Sequence, residues 1–139
     1  MKKSAIFVYI SPIFDSELLV CIGSKIADIK KWAGKNSKNL TGILKIEDNY
    51  KHISQVIDGK NSGAVFRFEK NGVNFYILWL EKYTGKWHDI YVLIHEITHY
   101  KQNLFITKAV IDETEFEAYF MEATLRDLIR LIGKNLHIK

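Results

Sequence analysis

The chain has 139 residues, of which 47% are hydrophobic, and its formal net charge is +4. This length and composition predict one globular domain over residues 1–139 that can bury a core without disulfide bonds. The single cysteine excludes an internal disulfide and a cysteine-rich metal site, so a bound zinc ion would need histidine and carboxylate ligands.

The N-terminus imitates the start of a secretory signal, because lysines precede the apolar run 5–10. Pro12 interrupts that run and no small-residue cleavage site follows, so the segment is interpreted as a strand of the folded protein. No stretch approaches the roughly 18 apolar residues that a membrane span needs. The prediction is a cytoplasmic protein that does not contact a membrane.

The positive charge comes from lysines scattered over residues 25–60 and near the C-terminus. Such a charge leaves nucleic acid or an acidic protein segment open as a partner. The run 24–39 is not interleaved with aromatic residues in the manner of a nucleic-acid platform, so a solvated basic surface is the favoured interpretation. Nucleic acid is therefore a possible partner but not a favoured one.

Two strands, at about 4–10 and 18–22, and one short helix are predicted at the start of the chain. Ser24 is the expected N-cap of this helix, because the apolar side chains that follow it have helical spacing. Gly34 is expected to end the helix. It opens a linker-like stretch, 34–39, that is too short to divide the chain into domains.

Residues 64–80 predict a β-hairpin. Two runs rich in β-branched and aromatic residues flank Asn71 and Gly72, which are typical of a tight hairpin turn. Before the hairpin, the apolar runs 42–46 and 52–57 are too short for periodicity to distinguish a strand from a helix.

Two helices are predicted after the hairpin. The first spans about 87–102 and contains the sequence His-Glu-Ile-Thr-His at residues 95–99. The second spans about 112–132, with a capping box formed by Asp112 and Glu115 and with Gly133 as its end. The elements together predict an α+β fold whose small, mainly antiparallel sheet includes the hairpin.

The segment His95–His99 places two imidazoles four residues apart, with Glu96 beside the first. Residues i and i+4 share one face of a helix, so both imidazoles can bind one metal ion at about 2.0–2.1 Å. Glu96 then lies close enough to take a proton from water on that metal. Because the flanking residues are apolar, three ionisable groups within five residues would be costly without a partner. The segment therefore predicts zinc-dependent hydrolysis.

Catalytic zinc sites commonly use three protein ligands, and the second predicted helix offers the glutamates Glu113, Glu115, Glu117 and Glu122. Glu113 and Glu117 share a face of that helix. Glu117 is the predicted third ligand, because the small Ala118 beside it permits close helix packing. Glu113 is the alternative, either as the ligand itself or as a hydrogen-bond acceptor for a liganding histidine.

His95–His99 followed by Glu117–Tyr119 resembles the gluzincin division of the zincin metallopeptidases. The likeness covers about residues 64–131 and looks like the minimal zincins of phages and bacteria, including relatives of the peptidases that cleave phage repressors. It implies a minimal zincin-like fold in which the hairpin packs on the metal-binding helix. The strand 75–80 would then be the edge strand that pairs with an extended substrate.

The resemblance implies Zn²⁺ ligation by His95, His99 and Glu117, with Glu96 as the general base. The expected function is hydrolysis of peptide bonds in a protein or peptide substrate. One alternative is a catalytically weak regulatory or binding module that contains zinc, although the presence of Glu96 counts against it. The other is a nucleic-acid-associated protease that reaches its substrate through a basic surface.

No residue is identified as the donor to the oxyanion. Tyr119 is expected to be buried, and His88 is expected to face solvent at the start of its helix. Trp79 and Trp87 are expected to anchor packing in the core. The physiological substrate and the oligomeric state leave no signal in the sequence.

Overall fold

The computed structural model describes residues 3–14, 16–107 and 114–138. Over these residues the chain forms a four-stranded mixed sheet and five helices, which confirms the predicted α+β class. Within the same ranges, no helix combines the length and apolar character that crossing a membrane requires.

The sheet is built from two antiparallel pairs of strands joined by one parallel pair. Its strands are β1 (Ala5–Ile10), β2 (Glu17–Ile22), β3 (Gly63–Lys70) and β4 (Val73–Leu80). The helices are α1 (Ile26–Asn36), α2 (Lys38–Lys45), α3 (Glu47–Asp58), α4 (Trp87–Thr107) and α5 (Thr114–Leu136). The strand order is β1-β2-β4-β3, with β2 parallel to β4, so β1 and β3 form the two edges.

Helices cover both faces of the sheet. Leu18, Val20 and Leu78 face the cluster that includes α4 and α5, whereas Leu19 and Ile77 face the cluster that includes α1, α2 and α3. The two central strands are buried on both sides, so each contains a continuous apolar run. Each face therefore has its own core.

Trp79 anchors the core on the side of α1, as predicted. Its side chain is buried, and its Nε1 donates a hydrogen bond of 2.9 Å to the carbonyl oxygen of Ser24. Trp87 does not anchor the core, because its side chain is 73% exposed at the first residue of α4. The expectation that Tyr119 is buried is also wrong, since it is 60% exposed and the neighbouring Phe120 enters the core instead.

The predicted hairpin is confirmed. Asn71 and Gly72 have φ angles of 55° and 79°, the positive values that a type I′ turn requires, and Lys70 pairs with Val73 across the turn. The expectation that residues 75–80 form a sheet edge is wrong. They belong to β4, which pairs with β2 on one side and β3 on the other, so the edge on this side of the sheet is β3.

The first helix differs from its prediction at both ends. Lys25 occupies the N-cap position of α1, while Ser24 is buried and donates a hydrogen bond of 3.3 Å to the carbonyl oxygen of Ile22. Gly34 does not end the helix, which continues to Asn36. An exposed glycine inside a helix costs only about 1 kcal/mol, so the surrounding packing outweighs it.

The stretch predicted as a linker is a junction between helices. Ser37 separates α1 from α2, and its Oγ accepts a hydrogen bond of 3.1 Å from the backbone N–H of Leu40. The ambiguous run 42–46 lies mainly in α2, and the run 52–57 lies in α3. The first 60 residues thus contribute three helices over one face of the sheet.

Both long helices extend beyond their predicted C-terminal ends. Helix α4 continues from about residue 102 to Thr107, and α5 passes Gly133 to reach Leu136. The predicted capping box starts at Asp112, which lies outside the described residues, as does Glu113.

Asp89 joins the loop after β4 to the first turn of α4. Its buried Oδ2 accepts hydrogen bonds from the backbone N–H of Thr84, at 2.8 Å, and from the hydroxyl of the same residue. Asp89→Ala is expected to lower the free energy of unfolding by about 2 kcal/mol, because the N–H and hydroxyl of Thr84 lose a charged, buried acceptor. Urea denaturation measures this loss. Asp48→Ala, which changes an exposed first-turn aspartate of α3, is the control, and an equal loss in both variants would contradict the assignment.

Candidate metal centre

His95 and His99 lie one turn apart on the exposed face of α4. Their Nε2 atoms are 3.1 Å apart and their rings are nearly perpendicular, at 83°. Two nitrogens bound at about 2.05 Å to one tetrahedral zinc ion would be about 3.3 Å apart. The pair therefore has close to the separation that two ligands of a single metal ion require.

Gln102 orients the second histidine. The Nδ1 atom of His99 lies 3.3 Å from Oε1 of Gln102, one turn further along α4. Because an amide oxygen only accepts, this contact favours the tautomer of His99 with its proton on Nδ1, the form in which Nε2 can bind a metal. Gln102 was predicted only to end the helix. Its i+3 spacing from His99 was the sequence signal for this role.

Glu96 is buried although both neighbouring histidines are exposed. Burial raises the pKa of its carboxyl group, and the positive charges of His95 and His99 partly oppose that rise. The site therefore has a largely buried carboxylate at the residue that directly follows His95.

Gly63, the first residue of β3, packs directly against Glu96. A Cβ atom at Gly63 would lie 2.9 Å from Cγ and 3.1 Å from Oε2 of Glu96, and 3.1 Å from Cδ2 of Leu80. Only a residue without a side chain allows this approach, so the glutamate is enclosed between α4 and the sheet edge. No local pattern in the sequence singles out Gly63, because the contact joins residues 33 positions apart.

An open cavity of about 320 Å³ lies between the start of β3 and the outer face of α4. It is lined by Ser62, Gly63, His88, Tyr91, Val92, His95 and Glu96. His88 is exposed, as predicted, and belongs to this lining. Tyr91 is 64% exposed, and its ring lies 6.1 Å from that of Trp87, so the cavity is bordered by an exposed aromatic pair.

Glu117 does not join the histidine pair. Its Oε1 lies 3.5 Å from Nζ of Lys101, which follows His99 by two residues and therefore projects about 200° further round α4. Across residues 3–14, 16–107 and 114–138, no three His, Cys, Asp or Glu side chains are grouped to hold a metal ion. The role of Glu117 as third ligand stays a prediction, and Glu113 lies outside the described residues.

Comparison with known protein families, with curated proteins and with solved structures found no match to this chain. The likeness to the gluzincins thus rests on the motif residues at 95–99 and 117–119. This likeness remains a prediction, and a proposal of function has to be argued from the residues of the site.

Proposed function

We propose that this protein is a zinc-dependent metallopeptidase in which His95 and His99 bind Zn²⁺ and Glu96 is the general base. The observation that carries the proposal is the pair of Nε2 atoms 3.1 Å apart with a buried carboxylate at the adjacent residue. A purely structural zinc site has no need of such a base. The donor set, two imidazoles and an oxygen ligand still to be assigned, is one that zinc commonly accepts.

Glu96 would supply the proton transfers of the reaction. It would take a proton from the attacking water and later deliver it to the leaving amine, which requires no other acid in the site. The raised pKa of its carboxyl group brings the base closer to neutral pH, where this exchange is efficient. Zinc, when bound, would polarise the scissile carbonyl and stabilise the negative charge that develops on its oxygen.

The sheet edge beside Glu96 supports a peptide as substrate. In the described chain β3 pairs only with β4, and its first residue, Gly63, is in contact with Glu96. An extended peptide that added to this edge would have its backbone held by main-chain hydrogen bonds next to the base. The exposed rings of Trp87 and Tyr91 would then border the side chains of that peptide.

Glu117 remains the predicted third ligand and Glu113 remains its alternative. To bind the metal, the Glu117 carboxylate would have to leave Lys101 and reach round α4. Loss of the ion pair is a small obstacle, since partly exposed pairs contribute only about 0–1 kcal/mol. The larger obstacle is the distance that the Glu117 carboxylate would have to move, from Lys101 round α4 to the histidines. Glu117 and Glu113 therefore have to be compared directly by experiment.

Metal analysis of the purified protein tests the proposal. We expect close to one zinc ion per chain, loss of zinc in His99→Ala, and retention in His52→Ala, which alters an exposed histidine on α3. Loss in only one of Glu117→Ala and Glu113→Ala would identify the third ligand. Full zinc occupancy in His99→Ala would contradict the proposed site.

A further inference from the structure

The positive charge of the chain is concentrated in one part of the fold. Residues 24–45, which contain α1 and α2, have six lysines and one aspartate, a net charge of +5 against +4 for the whole chain. The lysines are Lys25, Lys30, Lys31, Lys35, Lys38 and Lys45, and all six are exposed. Among the residues that the structure describes, none of them is paired with a carboxylate.

These six lysines form a basic surface that lies away from the candidate metal centre. Helices α1 and α2 pack on the sheet face of Leu19 and Ile77, whereas α4 packs on the opposite face. A ligand of the basic surface would therefore leave the cavity at Glu96 accessible.

A groove runs beside α1 at the edge formed by β1. One half, a cavity of about 390 Å³, is lined by residues 4–6 of the β1 edge and by Lys31, Trp32, Lys35 and Asn36. Trp32 and Asn36 also line an adjoining cavity of about 300 Å³ whose other walls include Val8 and Phe75. A half-buried indole thus separates a cationic half of the groove from an apolar half.

Two carboxylates border this groove. Oδ2 of Asp28 accepts a hydrogen bond of 2.9 Å from the backbone N–H of Lys25, so it is engaged in capping α1. Glu17 lines the apolar half, away from the lysines. The cationic half therefore keeps an excess of positive charge.

We infer that this groove binds single-stranded nucleic acid, with Lys31 and Lys35 contacting phosphates and Trp32 stacking on a base. An aromatic face within a cationic groove is the arrangement by which proteins bind single strands without sequence preference. The cationic groups of this surface are lysines, whose ammonium groups can contact phosphates as point charges. An acidic peptide would use the lysines but would have no need of the indole.

The structure changes the interpretation of this segment. Trp32 is the one aromatic residue among the lysines of residues 24–39, and folding places it with Lys31 and Lys35 in a groove whose other wall is the β1 edge. The inference is independent of the proposed peptidase activity, because it concerns a different face of the sheet.

Fluorescence anisotropy with a fluorescein-labelled 20-nucleotide oligothymidylate tests the inference on the full chain. With the two phosphates contacted by Lys31 and Lys35, the affinity should fall about 7-fold between 50 and 200 mM salt, from a slope of about −0.7 per phosphate. Absence of binding at 50 mM salt would overturn the inference. So would equal competition by a polyglutamate peptide of similar charge, which would indicate an acidic protein partner.

Matched charge reversals separate the groove from the general charge of the protein. Lys31→Glu with Lys35→Glu should weaken binding at least 10-fold, whereas Lys82→Glu with Lys134→Glu, at exposed positions outside the basic surface, should change it less than 3-fold. Trp32→Ala should weaken binding and Trp32→Phe should restore most of the loss, since phenylalanine keeps an aromatic face. Equal losses in the two charge-reversed proteins would overturn the inference.

Discussion

Glu96→Gln is expected to lower the rate of peptide hydrolysis by about 10²- to 10⁴-fold while zinc content stays unchanged. Glutamine has nearly the same shape as glutamate but cannot accept a proton from water at neutral pH. Among the described residues, no other carboxylate lines the cavity beside Glu96, so none can take over its role as base. The variant therefore separates proton transfer from metal binding.

The rate is measured by mass spectrometry on a peptide library incubated with each protein, alongside metal analysis. Glu47→Gln, which changes an exposed glutamate of α3 on the opposite face of the sheet, is the control and should keep the wild-type rate. Unchanged hydrolysis in Glu96→Gln would contradict the assignment of the base. Zinc binding without hydrolysis in the wild-type protein would instead favour the regulatory or binding module.

Gly63→Ala is expected to lower the rate of hydrolysis by about 10²-fold in a protein that still folds. The new methyl group would lie 2.9 Å from Cγ of Glu96, a distance that forces one of the two groups to move. The methyl group would also lie 3.1 Å from Cδ2 of the buried Leu80, so the Glu96 side chain has to turn toward the open cavity to make room. The carboxylate would then be misplaced, and a displacement of about 1 Å at a reacting group can cost about 10²-fold in rate.

Gly34→Ala is the matched control for this substitution. Gly34 lies within α1, and a Cβ there would meet no atom within 4 Å. Its replacement should leave hydrolysis unchanged and stabilise the protein slightly, since alanine favours helix. If Gly63→Ala kept the wild-type rate, the contact with Glu96 would not position the base.

Features fixed by neighbouring residues could be predicted from the sequence. The Asn71-Gly72 turn determined the hairpin, and a long periodic segment determined α4. The two histidines and Glu96 followed from helical spacing alone, because i and i+4 residues meet on any helix. Each of these features depends on contacts within a short part of the chain.

Features that depend on tertiary packing could not be predicted. Strand order decides that β3, and not β4, forms the sheet edge, and the sequence contains no local signal for that order. The short helices α2 and α3 are stabilised by the core over the sheet, so their brief apolar runs looked ambiguous. The contact of Gly63 with Glu96 exists only in the folded protein, where β3 lies against α4.

The exposure of His95 and His99 has a consequence for how this protein could change over generations. Helix α4 is held by buried residues on its opposite face, including Leu93, Ile97 and Tyr100, and the imidazoles contribute no part of that core. Substitution of either histidine would remove the proposed metal site while the fold persisted. Variants that lack either histidine should therefore remain stable proteins and keep the groove beside α1.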